Sequence, residues 1–149
     1  PLTQSVASDL PLREGVLFGL HGGHVNVTDG RYVYMRAPTS SQNWPLYEYT
    51  LMPTHMRHTF EVEELQDTVM APPFDFTKGC PVMKISARGS GWTDMHHFGT
   101  LLFDLQNDPK QEHPIDDPEI EARMTRLLVD LMKANNAPAE QFERLGLTV

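Results

Sequence analysis

Apolar and polar positions follow a strand-like period over the first two thirds of the chain and a helical period near its end. Val16-Leu17-Phe18-Gly19-Leu20 is a continuous apolar run and reads as a buried strand. Gly22-Gly23 breaks it. Val25 and Val27 then alternate with polar neighbours, and Tyr32 and Tyr34 alternate with Arg31 and Val33 on the return. Asp29-Gly30 stands between these two runs, the sequence of a hairpin whose type I′ turn needs positive φ at both centres. Residues 37–45 are rich in Pro, Ser, Thr and Asn and read as a loop. Leu46 to Leu51 alternates as a further strand that Pro53 should end. Phe60 to Asp67 favours a short helix, and Pro72-Pro73 stops whatever precedes it. Val82 to Ile85 is a short strand candidate, and Ser86 to Thr93 is a glycine-containing loop. Thr100 to Leu105 is a strand closed by the turn Asn107-Asp108-Pro109.

The spacing predicts a helix over 118–134. Asp117 suits the N-cap, and Pro118 suits the first helical position, where its missing donor is harmless. Glu119, Glu121 and Lys133 match the helix dipole. Ile120, Met124, Leu127, Leu128, Leu131 and Met132 form one apolar stripe, which reads as core. A short helix over 138–145 turns Phe142 and Leu145 inward, with Gly146 as its C-cap. Strands first and helices last give an α+β fold, a small antiparallel sheet of about four strands packed by an amphipathic C-terminal helix.

The chain has 149 residues, within the usual range of about 100–200 for one domain. A chain of this size buries roughly two thirds of its unfolded surface, so it can hold a core without staples. Residues 1–14 read as a linker or terminal segment, and 15–149 as the domain. The linker-like start lacks a signal-peptide core and an initiator Met, and is expected to join a longer protein. The net charge is −8, which offers no basic stripe for nucleic acid. No run approaches the roughly 18 apolar residues of a membrane span. Cys80 is the only cysteine, so an intramolecular disulfide is excluded. Cytoplasmic and periplasmic locations both stay open.

Histidines carry the candidate chemistry. His21-Gly22-Gly23-His24 is either a glycine turn exposing two imidazoles, or a tight loop whose histidines bond to backbone. His55 and Arg57, in His55-Met56-Arg57-His58, would suit an anionic group; surface histidines there, and at His96-His97, are the plainer reading. His113 reads as isolated and solvated. Cys80 has no visible base and reads as a small buried hydrophobe. There is no Walker loop, no Gly-x-Ser-x-Gly and no His-Glu-x-x-His. His21, His24, His55 and Arg57 are the substrate-pocket candidates. An autonomous histidine-based binding module or small hydrolase would need them to converge.

Three segments resemble the end of sulfatases, in the alkaline phosphatase superfamily. Gly99-Thr100-Leu101-Leu102-Phe103-Asp104-Leu105-Gln106-Asn107-Asp108-Pro109-Lys110-Gln111-Glu112 is similar to the family's L-Y/F-D-L-x-x-D-P-x-E segment, which a helix follows there as here. Thr28 to Tyr34 resembles the strand with the family's RYK-like signature, and Leu46 to Met56 is similar to bacterial sulfatase-like hydrolases. The resemblance spans about residues 16 to 145 and implies the C-terminal subdomain of a sulfuric ester hydrolase. Some relatives in that superfamily cleave phosphonate or phosphate esters instead. It implies calcium and a formylglycine for the full-length parent, and neither for this chain. Around Cys80 the order Cys-Pro-Val-Met-Lys departs from the family's nucleophile motif at Val82 and Lys84, and no catalytic residue or metal ligand is carried over. The implied partner is the large N-terminal catalytic domain. An apolar face left open by its absence would invite homo-oligomers. His21 or His24 would be the residues reaching a substrate.

Overall fold

A computed structural model describes residues 13–87 and 95–148. The fold is α+β, with two antiparallel sheets among the described residues. The first contains β1 (Val16–Gly19), β2 (Val25–Thr28), β3 (Tyr32–Arg36) and β7 (Leu101–Asp104), in the order β1-β2-β3-β7. The second contains β4 (Tyr47–Thr50), β5 (Val69–Ala71) and β6 (Val82–Ser86), in the order β4-β6-β5. The helices are α1 (Val62–Leu65), α2 (Met95–Phe98), α3 (Pro118–Ala134) and α4 (Ala139–Arg144).

One face of the four-stranded sheet is set by register. Leu17 pairs with Val27, Val27 with Tyr34, and Tyr34 with Leu102, so all four side chains point to the same side. α3 lies over that side. Met124, Leu128 and Met132 are fully or almost fully buried against it, with Ile120, Leu127 and Leu131 flanking them. Asp117 caps α3 by accepting from the backbone of Glu119 and Ile120, each at 3.1 Å. α4 closes the end of this core with Phe142 and Leu145. Gly146 follows it at φ 61°; the Leu147 amide returns to the Phe142 carbonyl (2.8 Å) and the Gly146 amide to Glu143 (3.0 Å), a Schellman closure.

The hairpin forms, but not with the expected turn. Only Gly30 of the two central residues has positive φ, at 95°. The Asp29 carboxylate supplies the rest by accepting from the amides of Arg31 (2.9 Å) and Tyr32 (2.7 Å). Arg31 then reaches across the sheet to Asp104 with two hydrogen bonds, at 3.2 and 2.9 Å.

Three readings are corrected. The run at 16–20 is not buried: β1 is an edge strand with only β2 beside it, and Val16 and Phe18 are nearly half exposed on the face away from α3. The strands expected at 46–51 and 82–85 do form, and they pair with each other in the second sheet beside β5, which hydrophobic periodicity does not announce in three residues. Ser86 belongs to β6, whereas most of the loop expected over 86–93 lies outside the described residues. Cys80 is exposed, because it ends a surface turn opened by Lys78 and Gly79 at positive φ.

Leu128 has no solvent contact, and truncating it leaves a cavity between α3 and the sheet. Leu128→Ala should cost about 2–5 kcal/mol of stability. Urea unfolding should show a lower midpoint at an unchanged slope.

Candidate functional site

The His21–His24 turn is built from the backbone outward. Gly22 takes φ 73°, which favours glycine, and its carbonyl accepts from the side-chain amide of Asn43 at 2.6 Å. The Gly23 amide closes the turn onto Leu20 at 2.9 Å. The Gly23 carbonyl points inward and accepts from both terminal nitrogens of Arg144, at 3.2 and 3.3 Å. The same guanidinium donates to Asn43 Oδ1 (2.8 Å) and Gln141 Oε1 (3.0 Å). Arg144 is 2% exposed, and none of its hydrogen-bond acceptors among the described residues is a carboxylate. Burial pulls its pKa down to about 10, so it stays a cation at neutral pH.

The two histidines of this turn part company. His24 is buried, and the Gly99 carbonyl accepts from its Nε2 at 2.8 Å. His21 is exposed, with its Nε2 at 3.3 Å from the Tyr47 carbonyl. His55 lies elsewhere, held by Glu64 at 3.0 Å, with Glu48 at 4.0 Å and the rings of His58 and Phe60 against its own. The Glu61 amide and His55 hold the Glu64 carboxyl below its usual range. Arg57 is exposed on the adjoining loop. No hydrogen bond, ion pair or ring contact links His21, His24, His55 and Arg57 to one another among the described residues.

Tyr47, whose carbonyl His21 meets, belongs to a feature that periodicity alone missed. Beside Tyr47 lies a cleft of about 950 Å³, lined by Gln42, Trp44, Tyr47, Asp67, Val69 and Lys84, with Ser86 and Ala87 at one end. Cross-strand pairing of Tyr47 with Ser86 and of Tyr49 with Lys84 puts these side chains on one face of the second sheet. Lys84 Nζ sits 4.0 Å from the centre of the Tyr47 ring and 3.0 Å from Glu140 of α4. The Tyr49 hydroxyl also donates to Glu140. Burial and the adjacent carboxylate push the Tyr49 phenol up to about 12. Burial works against both charges of the pair, yet Lys84 is held above and Glu140 below its ordinary value, because the hydrogen bonds within the triad outweigh it. The signal available in the sequence was the aromatic–Lys alternation itself, but which helix supplied the carboxylate was not readable.

The groups that the sulfatase resemblance implies for the parent do not fit the described residues of this chain. Among the described residues, one set of three metal-ligating side chains brings its atoms together: Asp108, Glu112 and His113. Glu112 and His113 are exposed, and Asp108 Oδ2 is already used by the His113 amide at 2.8 Å. Two carboxylates and an imidazole fall short of the six to eight oxygens, roughly, that calcium takes. Cys80 is exposed in a surface turn, and among the described residues no basic side chain bonds to it.

No protein-family model matches the chain, and no curated protein or solved structure shows significant similarity to it. The fold and the cleft are therefore read on their own physics.

Two outcomes follow. Arg144→Ala removes the donor and strands the Gly23 carbonyl and the Asn43 and Gln141 side-chain oxygens; it should cost about 3–5 kcal/mol in chemical denaturation, with only partial recovery in Arg144→Lys. Glu140 has a depressed pKa, so its contribution is complete above the ordinary glutamate pKa and is lost as pH falls through the folded value. Stability measured from pH 7 downward should decline below the ordinary glutamate pKa, with a shallower decline in Lys84→Met.

Proposed function

We propose that this chain is the C-terminal subdomain of a sulfatase-like hydrolase. It is silent alone and packs against a catalytic domain, whose substrate pocket it helps to shape. One observation carries the reading: on the side of the four-stranded sheet away from α3, Val33 and Phe103 of the inner strands are buried, but the edge strand β1 keeps its apolar side chains in solvent. Phe18, 45% exposed, shares that face with Val16, and Leu20 continues the apolar edge past the strand end. Phe98 is exposed one residue before Gly99, the partner of His24 on the same face. Exposed apolar surface of this kind marks an interaction site.

The segments that carry the resemblance support the reading in a second way. Arg31 of the RYK-like strand and Asp104 of the L-F-D-L segment pair with each other, at 2.9 Å. Arg31 holds the Asp104 carboxyl below the usual carboxylate range. Asp104 also accepts from the Gln106 amide and the Asn107 side chain, so it fixes the turn after β7. These residues have a scaffolding role, as a non-catalytic subdomain requires. In this reading His21 is the candidate to reach a substrate, supported by its exposure, its turn locked by Arg144, and its contact with the carbonyl of Tyr47, a residue lining the cleft. Calcium and formylglycine belong, in this reading, to the catalytic domain.

The test has two arms. The chain should not hydrolyse a chromogenic aryl sulfate with added calcium, while circular dichroism shows it folded. Turnover that survives repurification and disappears in His21→Ala or Cys80→Ala would overturn the reading. In sedimentation, the wild-type chain should self-associate at high concentration, and Phe18→Glu should be monomeric. A wild type that stays monomeric throughout counts against an unpartnered face.

A further inference from the structure

The cleft on the second sheet uses different residues from the docking face and is argued independently of it. Its centre is an aromatic corner. The Trp44 and Tyr47 rings are 5.2 Å apart and tilted by 55°, and Trp44 keeps 46% of its surface in solvent. Around this corner stand an amide (Gln42), a carboxylate (Asp67), a hydroxyl (Ser86) and an ammonium (Lys84). Sites with this balance bind through an apolar platform and orient through a few polar groups.

The charges narrow the ligand. Among the described residues, Lys84 is the one cation of the lining, and Glu140 already neutralises it at 3.0 Å. Asp67 adds a negative charge, so with Glu140 the surroundings carry no net positive charge and disfavour a sulfate or phosphate. Lys84 Nζ already covers the Tyr47 ring at 4.0 Å, which leaves Trp44 as the aromatic face open to a ligand. A purely apolar ligand would desolvate four polar side chains without satisfying them. A molecule with an uncharged C–H face and a rim of hydroxyls matches both the Trp44 platform and the mixed polar groups around it.

We propose that this cleft binds the ring of an uncharged saccharide, stacked on Trp44 with its hydroxyls toward Gln42, Asp67, Lys84 and Ser86. The C–H face of a pyranose covers the indole, while its hydroxyls both donate and accept. Asp67 takes a donated proton, Lys84 gives one, and Gln42 and Ser86 do either. Lys84 is held in place by Glu140 and the Tyr47 ring, so little side-chain freedom is lost on binding.

The experiment is a titration of the full ¹⁵N-labelled chain with neutral methyl glycosides of glucose, galactose and N-acetylglucosamine, and separately with sodium sulfate and with indole. At least one glycoside should shift the Trp44 indole N–H and the Tyr47 and Ser86 amides, with a millimolar Kd. Trp44→Ala should raise that Kd by about tenfold or more, and Asp67→Ala should raise it by a smaller factor. Thermal melts of both variants should match wild type, since both side chains are exposed. The proposal fails if no glycoside shifts these signals. It also fails if binding is unchanged in both variants, if sulfate shifts the same signals, or if indole does so and the glycosides do not. None of these failures touches the docking reading, which the Phe18→Glu experiment judges separately.

Discussion

A buried cation with no carboxylate among its described partners is the constraint on which the rest of this structure depends. Arg144 ends α4 with its guanidinium away from water, and its bonds go to a main-chain carbonyl and two side-chain amides. Burying a charge is costly unless its hydrogen bonds are made, so the acceptors must converge from distant parts of the chain. They come from the glycine turn at 22–23, the loop at 43 and the helix at 141. The Arg144 carbonyl adds the loop at 39, accepting from the Thr39 amide at 2.9 Å and hydroxyl at 3.2 Å. The chain must therefore bring residues 22–43 against its C-terminal helix, and the turn that carries His21 inherits that placement.

The α+β class, the hairpin, α3 and the inward residues of α4 were legible because each rests on a local signal. Period-two alternation, Asp-Gly, a capped N-terminus and an apolar stripe are all read within a few residues of chain. The second sheet was not legible as a sheet. Whether β4 and β6 join β3 or each other is decided by long-range pairing, and β5 is too short to leave a period. The misreading of 16–20 has a related cause. An apolar run suits a strand buried on both faces, but an edge strand with one bare face shows the same composition. Cys80 followed composition as well: free cysteines are often buried, and the turn around Lys78-Gly79 overrode that tendency.

The candidate site was legible in part. The histidine-glycine turn stood out, but its two histidines play different roles because alternation along β2 decides them. His24 precedes Val25 on the side opposite α3 and is buried there, whereas His21 lies on the outer side of the turn. His55 and Arg57 looked like an anion-binding pair, yet His55 is occupied by Glu64, an acid nine residues on whose reach depends on how α1 folds back. Arg144 gave no sign at all. An arginine in the last turn of a helix is the ordinary complement to the dipole, and nothing local distinguishes one that is exposed from one that is buried.

The short helix α4 joins these features. Six residues are too few to be stable as an isolated helix, so α4 exists because its surroundings hold it. Phe142 and Leu145 fix one side in the core beneath α3, and the Gly146 closure stops it from unwinding. Its other residues face outward to two different places. Arg144 and Gln141 lock the turn that carries His21, while Glu140 locks Lys84 over Tyr47 at the base of the cleft. Both parts of the site are thus referenced to one helical turn, and through it to the packing of Leu128 and Met132. A perturbation of the core under α3 therefore reaches the glycine turn and the cleft together, through α4.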